Sequence, residues 1–151
     1  MRGVLLPVLL ALTGAAGAAE RLTGTVVGIA DGDTLTVSDG TRQVRVRLAE
    51  IDAPERRQAF GSVARQHLAA LCYRTQASVH VLSTDRYGRA VGRVRCGTTD
   101  ANAAMVSAGL AWVFRRYARD PVLYRLEAEA RRDRRGLWRD PAPVPPWAFR
   151  R

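Results

Sequence analysis

The sequence contains no lysine; all 24 of its basic residues are arginine, set against 14 acidic residues for a formal net charge of +10. A chain this basic is drawn to polyanions such as nucleic acid. A solvated face under GC-rich codon use would also favour arginine over lysine, so charge alone supports nucleic-acid binding only weakly. Histidine is scarce, with His67 and His80 alone and no partner at ligand spacing. Both read as structural or exposed. Cysteine is limited to Cys72 and Cys96, which without histidine partners at ligand spacing exclude a zinc site. After Leu12 no further long apolar run occurs. Val4 to Leu12, broken by Pro7, is too short to cross a bilayer, so stable membrane insertion is not expected. Internal repeats and a dividing linker are also missing. The 151 residues suffice for one domain with a real core and hardly for two.

The first 19 residues read as an export signal: Arg2 as the charged start, the short apolar run, then Ala16-Gly17-Ala18-Ala19 as small residues for cleavage. A noncleaved anchor is the alternative. The domain expected to follow spans 20–140, with a proline-rich tail over 141–151, and the expected location is secreted or periplasmic. In an oxidising compartment Cys72 and Cys96 are expected to pair, which would stabilise the fold by roughly 3 kcal/mol in the chain-entropy model. Two unpaired buried thiols are the alternative.

Val, Thr and Ile between Leu22 and Ala30 predict a strand. Asp31-Gly32 is a turn signal, and Thr34 to Ser38 predicts the antiparallel partner. After Asp39-Gly40 the alternation from Gln43 to Ile51 predicts a third strand, with Val44, Val46 and Leu48 on the core face and Arg47 on the other. Pro54 ends it. Ser62 is placed as the cap of a helix to about Leu71, with Ala64, Leu68 and Leu71 on one face. Ala77–Leu82 and Arg89–Cys96 read as two more strands. Five strands with a helix between the third and fourth is the order of an OB-type barrel. Asp100 predicts a helix cap with Gly109 as its terminator, and Asp120-Pro121 starts a helix that Gly136 is expected to stop. On that helix Leu123, Leu126 and Ala130 face the core and Glu127 pairs with Arg131. The segment Pro141 to Pro146 is expected to lie over the surface without regular structure.

Chemistry concentrates between Asp31 and Glu55. A hairpin there would carry Asp33, Arg47, Asp52 and Glu55 toward one place. Asp33 and Asp52 offer hard oxygens suited to Ca²⁺ or Mg²⁺. Glu55, one turn past Asp52 and beyond a proline, reaches the same space and is suited to activating water. Arg47, with Arg89 from Asp85-Arg86-Tyr87-Gly88-Arg89, would hold phosphoryl oxygens by bidentate contact. Cation, base and paired guanidinium groups make up a phosphodiester-cleaving set. In the resting fold Arg47 and Arg89 are free to bridge to Asp33 or Asp52, where substrate phosphate would compete for them.

The stretches D-G-D-T, R-x4-D-x-P-E and D-x-Y-G-R, in this order and spacing, resemble the staphylococcal nuclease (thermonuclease) family over about Thr23 to Trp138. Each motif alone is weak; the three together in a small basic domain are specific. The resemblance implies an α+β fold, a five-stranded OB-fold β-barrel with three α-helices, and a Ca²⁺-dependent phosphodiesterase acting on DNA and/or RNA that leaves phosphate on the 3′ side. It implies Asp33, Asp52 and the carbonyl of Ala53 as metal ligands, Glu55 as general base, and Arg47 and Arg89 as the arginines of the transition state. Tyr87 and Tyr117 match nucleotide-contacting positions, Asn102 a structural asparagine and Trp138 a core tryptophan. Departures are Ala53 in place of a threonine, a short loop carrying Arg56 and Arg57, and Arg115 in place of a nucleotide-stacking tyrosine. Arg115 and Arg116 are then read as a solvated face able to touch phosphate backbone. Trp112 and Phe114 are read as core, and the Arg131–Arg135 run as a solvated helix end that complements the dipole.

The leading expectation is an exported, monomeric Ca²⁺-dependent nuclease. A non-catalytic OB-fold nucleic-acid-binding module is the alternative, although such a module has no reason to keep Asp33, Arg47, Asp52, Glu55 and Arg89 together. An envelope protein that binds acidic polymers without cleaving them is a remoter third.

Overall fold

In the computed structural model, which describes residues 19–151, eight strands and four helices follow one another along the chain. They are β1 (Arg21–Asp31), β2 (Thr34–Ser38), β3 (Gln43–Leu48), β4 (Ile51–Asp52), α1 (Gly61–Cys72), β5 (Gln76–Thr84), β6 (Ala90–Cys96), β7 (Thr99–Asp100), α2 (Ala101–Ser107), β8 (Trp112–Val113), α3 (Pro121–Arg132) and α4 (Pro146–Phe149), with a 3₁₀ turn at Gly136–Arg139 before the last. The expected export signal lies almost wholly outside the described residues.

The main sheet runs β3-β2-β1-β5-β6-β7, and β3 also pairs with β6, so five strands close on themselves. Every pairing around this ring is antiparallel except that closing one, where Val46, Arg47 and Leu48 lie beside Ala90, Val91 and Gly92 in parallel. This is the α+β barrel that the order of strands and helix predicts. Closure removes the open edges that would otherwise template pairing between molecules. Inside the ring Val26, Leu35, Val37, Val46, Leu48 and Val79 are fully buried. Each such side chain contributes roughly 1.5–3 kcal/mol relative to exposure.

The third strand is shorter than its alternation suggests. It ends at Leu48, and Glu50 takes a left-handed backbone conformation (φ 68°). That turn redirects the chain into β4, which leaves the barrel sheet to pair with β8 through Ile51–Val113 and Asp52–Trp112. The Glu50 side chain secures the break: its carboxylate accepts from Arg93 Nε (3.0 Å) and from the amides of Arg119 (2.8 Å) and Asp120 (3.2 Å). The apolar–polar alternation changes phase at Ala49-Glu50, which puts a carboxylate where the strand's core-facing position would fall.

Helix α1 does not begin at a Ser62 cap. Its N-cap position is Phe60, in a left-handed conformation with no side-chain bond, and Ser62 is already inside the first turn. The start is set by packing: a Cβ on Gly61 would stand 2.0 Å from the carbonyl oxygen of Glu55. Asp100 and Asp120 do cap α2 and α3, accepting from the amides of Ala103 (3.0 Å) and Val122 (2.9 Å). Helix α3 ends at Arg132, before Gly136, which instead opens the 3₁₀ turn at a positive φ of 54°. Leu123 and Ala130 face the core and Leu126 is partly buried against it. Asn102 ties α2 to the barrel, accepting from the Val94 amide (2.9 Å) and donating to the Ala49 carbonyl (2.9 Å).

Two further departures bear on the site. The run Arg131–Arg135 is not simply solvated: the Arg131 guanidinium lies 4.0 Å from the Trp138 ring centroid, and Arg135 donates to the Ser107 carbonyl (3.0 Å). The proline-rich segment also acquires structure, a one-turn helix with Pro at its start. Pro is pre-organised for a first helical turn, where its missing N–H costs nothing. Cys72 and Cys96 form a disulfide that links the end of α1 to the end of β6. Among the described residues no helix is long and apolar enough to cross a membrane.

Candidate active site

Asp33 is delivered by the β1–β2 turn. Asp31 Oδ1 accepts from the Asp33 amide (3.0 Å), an Asx-type contact that fixes the turn. Gly32 between them must be glycine for close approach, since a Cβ there would stand 2.7 Å from Ala64 Cβ on α1 and 2.8 Å from Ala53 Cβ. The β1–β2 turn therefore sits directly against the segment after β4. The contact is sealed by a buried hydrogen bond from the Ala53 amide to Asp33 Oδ2 (2.7 Å). Thr34 Oγ1 donates to the other Asp33 oxygen (3.1 Å).

Asp52 arrives on β4, only 1% exposed. Arg47, on β3, bridges the two aspartates: Nη2 lies 3.2 Å from Asp52 Oδ1 and 3.5 Å from Asp33 Oδ2. Its Nη1 is held by the carbonyls of Leu48 (2.7 Å) and Ile51 (2.9 Å), the oxygens that flank the Glu50 turn. The strand break therefore orients the arginine as well as releasing Asp52 from the barrel sheet. The Arg47 side chain is 14% exposed.

Arg89 lies immediately before β6. Asp85 holds its Nε (2.7 Å) and its amide (3.0 Å), and its Nη1 reaches Thr34 Oγ1 at 3.5 Å. Through Thr34 it is connected to Asp33. Its resting carboxylate partner is thus Asp85, not Asp33 or Asp52. Glu55, after Pro54, is half-exposed; its amide donates to Gln58 Oε1 (3.0 Å). The structure accordingly brings Asp33, Arg47, Asp52 and Glu55 to one rim of the barrel, with Arg89 linked to them through one hydroxyl.

One member of the cluster has no counterpart in the sequence reading. Arg150, just past α4, donates from Nη2 to Asp52 Oδ2 (2.7 Å) and from Nη1 to Asp52 Oδ1 (3.1 Å) and Glu55 Oε1 (2.6 Å). Nothing in the local pattern around Arg150 announces this; the only signal is its residue type in an arginine-rich chain. The contact holds the Arg150 guanidinium above its usual range, through Asp52 first and Glu55 after it.

Burial is the largest influence on two acids here, Asp52 and Asp31. It pushes the Asp52 carboxyl up, against the lowering effect of Arg150 and Arg47. Burial, then the neighbouring Asp33 charge, pushes Asp31 up to about 7. Clustered, partly desolvated carboxylates with raised titration points are a place where positive charge is strongly favoured. Among the described residues no group of three or more His, Cys, Asp and Glu side chains is arranged to enclose a metal. The donor chemistry nevertheless fits a hard divalent cation held by Asp33 and Asp52 and completed by backbone or water oxygens. In this structure the positive charge on Asp52 comes from the Arg150 and Arg47 guanidinium groups.

The remaining sequence-derived positions lie further out. Tyr87 is 67% exposed beside the site, with its hydroxyl accepting from Arg86 (2.7 Å) and its ring 5.6 Å from the Arg89 guanidinium carbon. Tyr117 is also exposed and packs edge-on against Phe114. Arg115 is committed elsewhere: it donates to Glu127 Oε1 (3.0 Å) and covers the Tyr124 ring. Glu127 is 2% exposed and also accepts from Arg131 (3.0 Å) and from the Val113 amide (2.6 Å). The expected Glu127–Arg131 pair is thus part of a larger clasp that anchors β8, the strand paired with β4. Trp112 and Trp138 are buried, whereas Phe114 is only half-buried, with Trp147 stacked on it. A cavity of about 190 Å³ opens between Pro54, Phe60, Trp112 and Phe149; it is mainly apolar and lies beside the carboxylates rather than over them.

Comparison with known proteins points to one family. Residues 45–140 match the sequence profile described as "Staphylococcal nuclease homologue". "Protein ParB" of Escherichia coli is 49% identical over 142 residues, covering 87% of this chain and 80% of that protein. "Micrococcal nuclease" of Shigella flexneri is 48% identical over 139 residues, covering 85% of this chain and 80% of that protein. A protein named as an endonuclease in Escherichia coli O157:H7 is 44% identical over 128 residues, covering 84% of both.

Proposed function

The chain belongs to the staphylococcal nuclease family and is a nuclease, and we propose that it is an exported, Ca²⁺-dependent phosphodiesterase that acts on DNA and/or RNA as a monomer. The observation that carries this reading is the Asp33–Arg47–Asp52 bridge, two buried carboxylates spanned by one arginine at a barrel rim.

Asp33 and Asp52 would hold the cation, with the Ala53 carbonyl as a further oxygen. When bound, the cation supplies charge that polarises the phosphate. Glu55 takes a proton from the attacking water as its oxygen bonds to phosphorus. The P–O bond to the leaving sugar oxygen then breaks, and that oxygen leaves with its electron pair and is protonated from solvent. Arg47 and Arg89 meet the charge that accumulates on the non-bridging oxygens. Rigid support favours this role for Arg47, whose Nη1 is already fixed by two carbonyls. Arg89 is presented by Asp85 in the same way. Tyr87 and Tyr117 supply exposed rings at which nucleotides stack or hydrogen-bond, and Arg115, although paired with Glu127, keeps an exposed face for phosphate backbone.

Export is supported by the leader-like composition of the first 19 residues and by the Cys72–Cys96 disulfide, a bond that persists in oxidising compartments.

The direct test is hydrolysis of single-stranded DNA and of RNA with calcium titrated, and again with chelator in excess. Cleavage that rises with calcium and stops with chelator is expected. Chelator-resistant cleavage would remove the metal from the reading and leave only the nuclease assignment.

A further inference from the structure

Arg150 is placed by a built anchor, not by a loose end. Trp147 stacks on Phe114 with ring centroids 5.6 Å apart and planes 7° from parallel, and meets Trp112 edge-on at 5.5 Å. Pro146 is buried, and Gln58, on the segment after Glu55, donates its side-chain amide to the Val144 carbonyl. Aromatic packing of this kind contributes beyond simple area burial. With α4 seated on both sides, Arg150 emerges directly over Asp52 and Glu55.

The consequence is a conflict over the same oxygens. Both carboxylate oxygens of Asp52 accept from Arg150, and one of them also accepts from Arg47. Glu55 Oε1 accepts from the same Arg150 nitrogen that bonds Asp52. A divalent cation on Asp52 would stand within a few ångströms of that guanidinium, and two like charges so close repel strongly in a partly buried setting. Arg47 is not the group that yields, because the Leu48 and Ile51 carbonyls retain it whether or not Asp52 is engaged. Among the described residues Arg150 has no such second hold: its guanidinium partners there are Asp52 and Glu55, and its side chain is 42% exposed.

We propose that Arg150 is a tethered cation that occupies the carboxylate site in place of the divalent metal and is displaced by it, so that α4 sets the metal concentration at which the enzyme becomes competent. This rests on the metal-dependent reading above. While Arg150 is seated, one metal carboxylate is masked and the proton acceptor is tied up by the same contact. Displacement frees both together, which couples metal arrival to release of the base. A site open only about one-tenth of the time binds its ligand with an apparent affinity about tenfold weaker than its intrinsic one.

The experiment compares the full chain with Arg150→Ala, Arg150→Lys and, as a control on bulk charge, Arg151→Ala. Calcium chloride is titrated calorimetrically, and thermal unfolding is recorded in chelator and in saturating calcium. Arg150→Ala is expected to bind calcium about tenfold more tightly than the parent chain, Arg150→Lys to fall between, and Arg151→Ala to match the parent. In chelator Arg150→Ala should melt below the parent, because Asp52 loses a partner, and saturating calcium should erase that difference. Equal or weaker calcium binding by Arg150→Ala overturns the proposal while leaving the nuclease reading intact. If no chain binds calcium and cleavage resists chelator, the metal-dependent reading fails and the competition proposal falls with it.

Discussion

The amide of Ala53 donates a 2.7 Å hydrogen bond to Asp33, joining two turns that lie twenty residues apart in sequence. This bond, together with the Arg47 bridge, makes one site of two separate acidic segments. It also commits one Asp33 oxygen to holding the fold, so the position of that carboxylate and the position of the segment after β4 are mechanically linked.

Glu55→Gln should lower turnover on single-stranded DNA by about 10²- to 10⁴-fold, the usual span for a general base. The side chain is half-exposed, with Arg150 as its recorded side-chain partner. The thermal midpoint should therefore stay close to that of the parent, and steady-state hydrolysis with a melting curve checks both. Retained turnover would assign the proton transfer to another group.

Arg47→Ala and Arg89→Ala should differ in kind. Each should cost about 10²-fold or more in turnover, by analogy with loss of an oxyanion donor. Arg47→Ala should in addition destabilise the fold by about 3–5 kcal/mol, since it leaves Asp33 and Asp52 buried and short of a partner. Arg89 is paired with a single carboxylate near the surface, so its loss should be felt mainly in turnover. Urea unfolding alongside cleavage assays separates the two patterns.

Asp31 makes stability depend on pH. Its folded-state carboxyl is raised from 3.8 to about 7, chiefly by burial and then by Asp33. The folded chain keeps a proton there that the unfolded chain gives up, so this contribution is complete below about pH 4 and is lost as pH rises to about 7. In chelator, Asp31→Asn should flatten that decline and raise the melting temperature relative to the parent at pH 8 more than at pH 4.5. Melting curves across that range check the sign; a variant that loses stability at pH 8 would contradict it.

The Cys72–Cys96 disulfide, spanning 24 residues, ties α1 to β6. Replacing both cysteines by serine should cost roughly 3 kcal/mol in the chain-entropy account. Urea unfolding of the double variant, or of the parent under reductant, measures it. Both residues lie outside the site cluster, so below the unfolding transition the folded fraction should cleave with unchanged turnover.

Much of this molecule is written locally. Alternation in β2 and β3, the Asp-Gly turns, and the Asp100 and Asp120 caps each depend on neighbours a few residues away, so sequence determined them. The same holds for the spacing of Arg47, near the end of barrel strand β3, from Asp52 and Glu55 on the short excursion that follows. Tertiary structure decided what depends on distant partners. Glu50 interrupts the core-facing phase of the strand, but the partners of its left-handed turn, Arg93, Arg119 and Asp120, come from distant segments that gather around its carboxylate. Ser62 has the chemistry of a cap, but close packing of Gly61 on Glu55 moved the helix start ahead of it. Arg150 is the plainest case, 98 residues from the aspartate it grips. Periodicity and turn chemistry report only short-range preferences, whereas a guanidinium finds a buried carboxylate only after packing has paid the entropy of bringing their segments together.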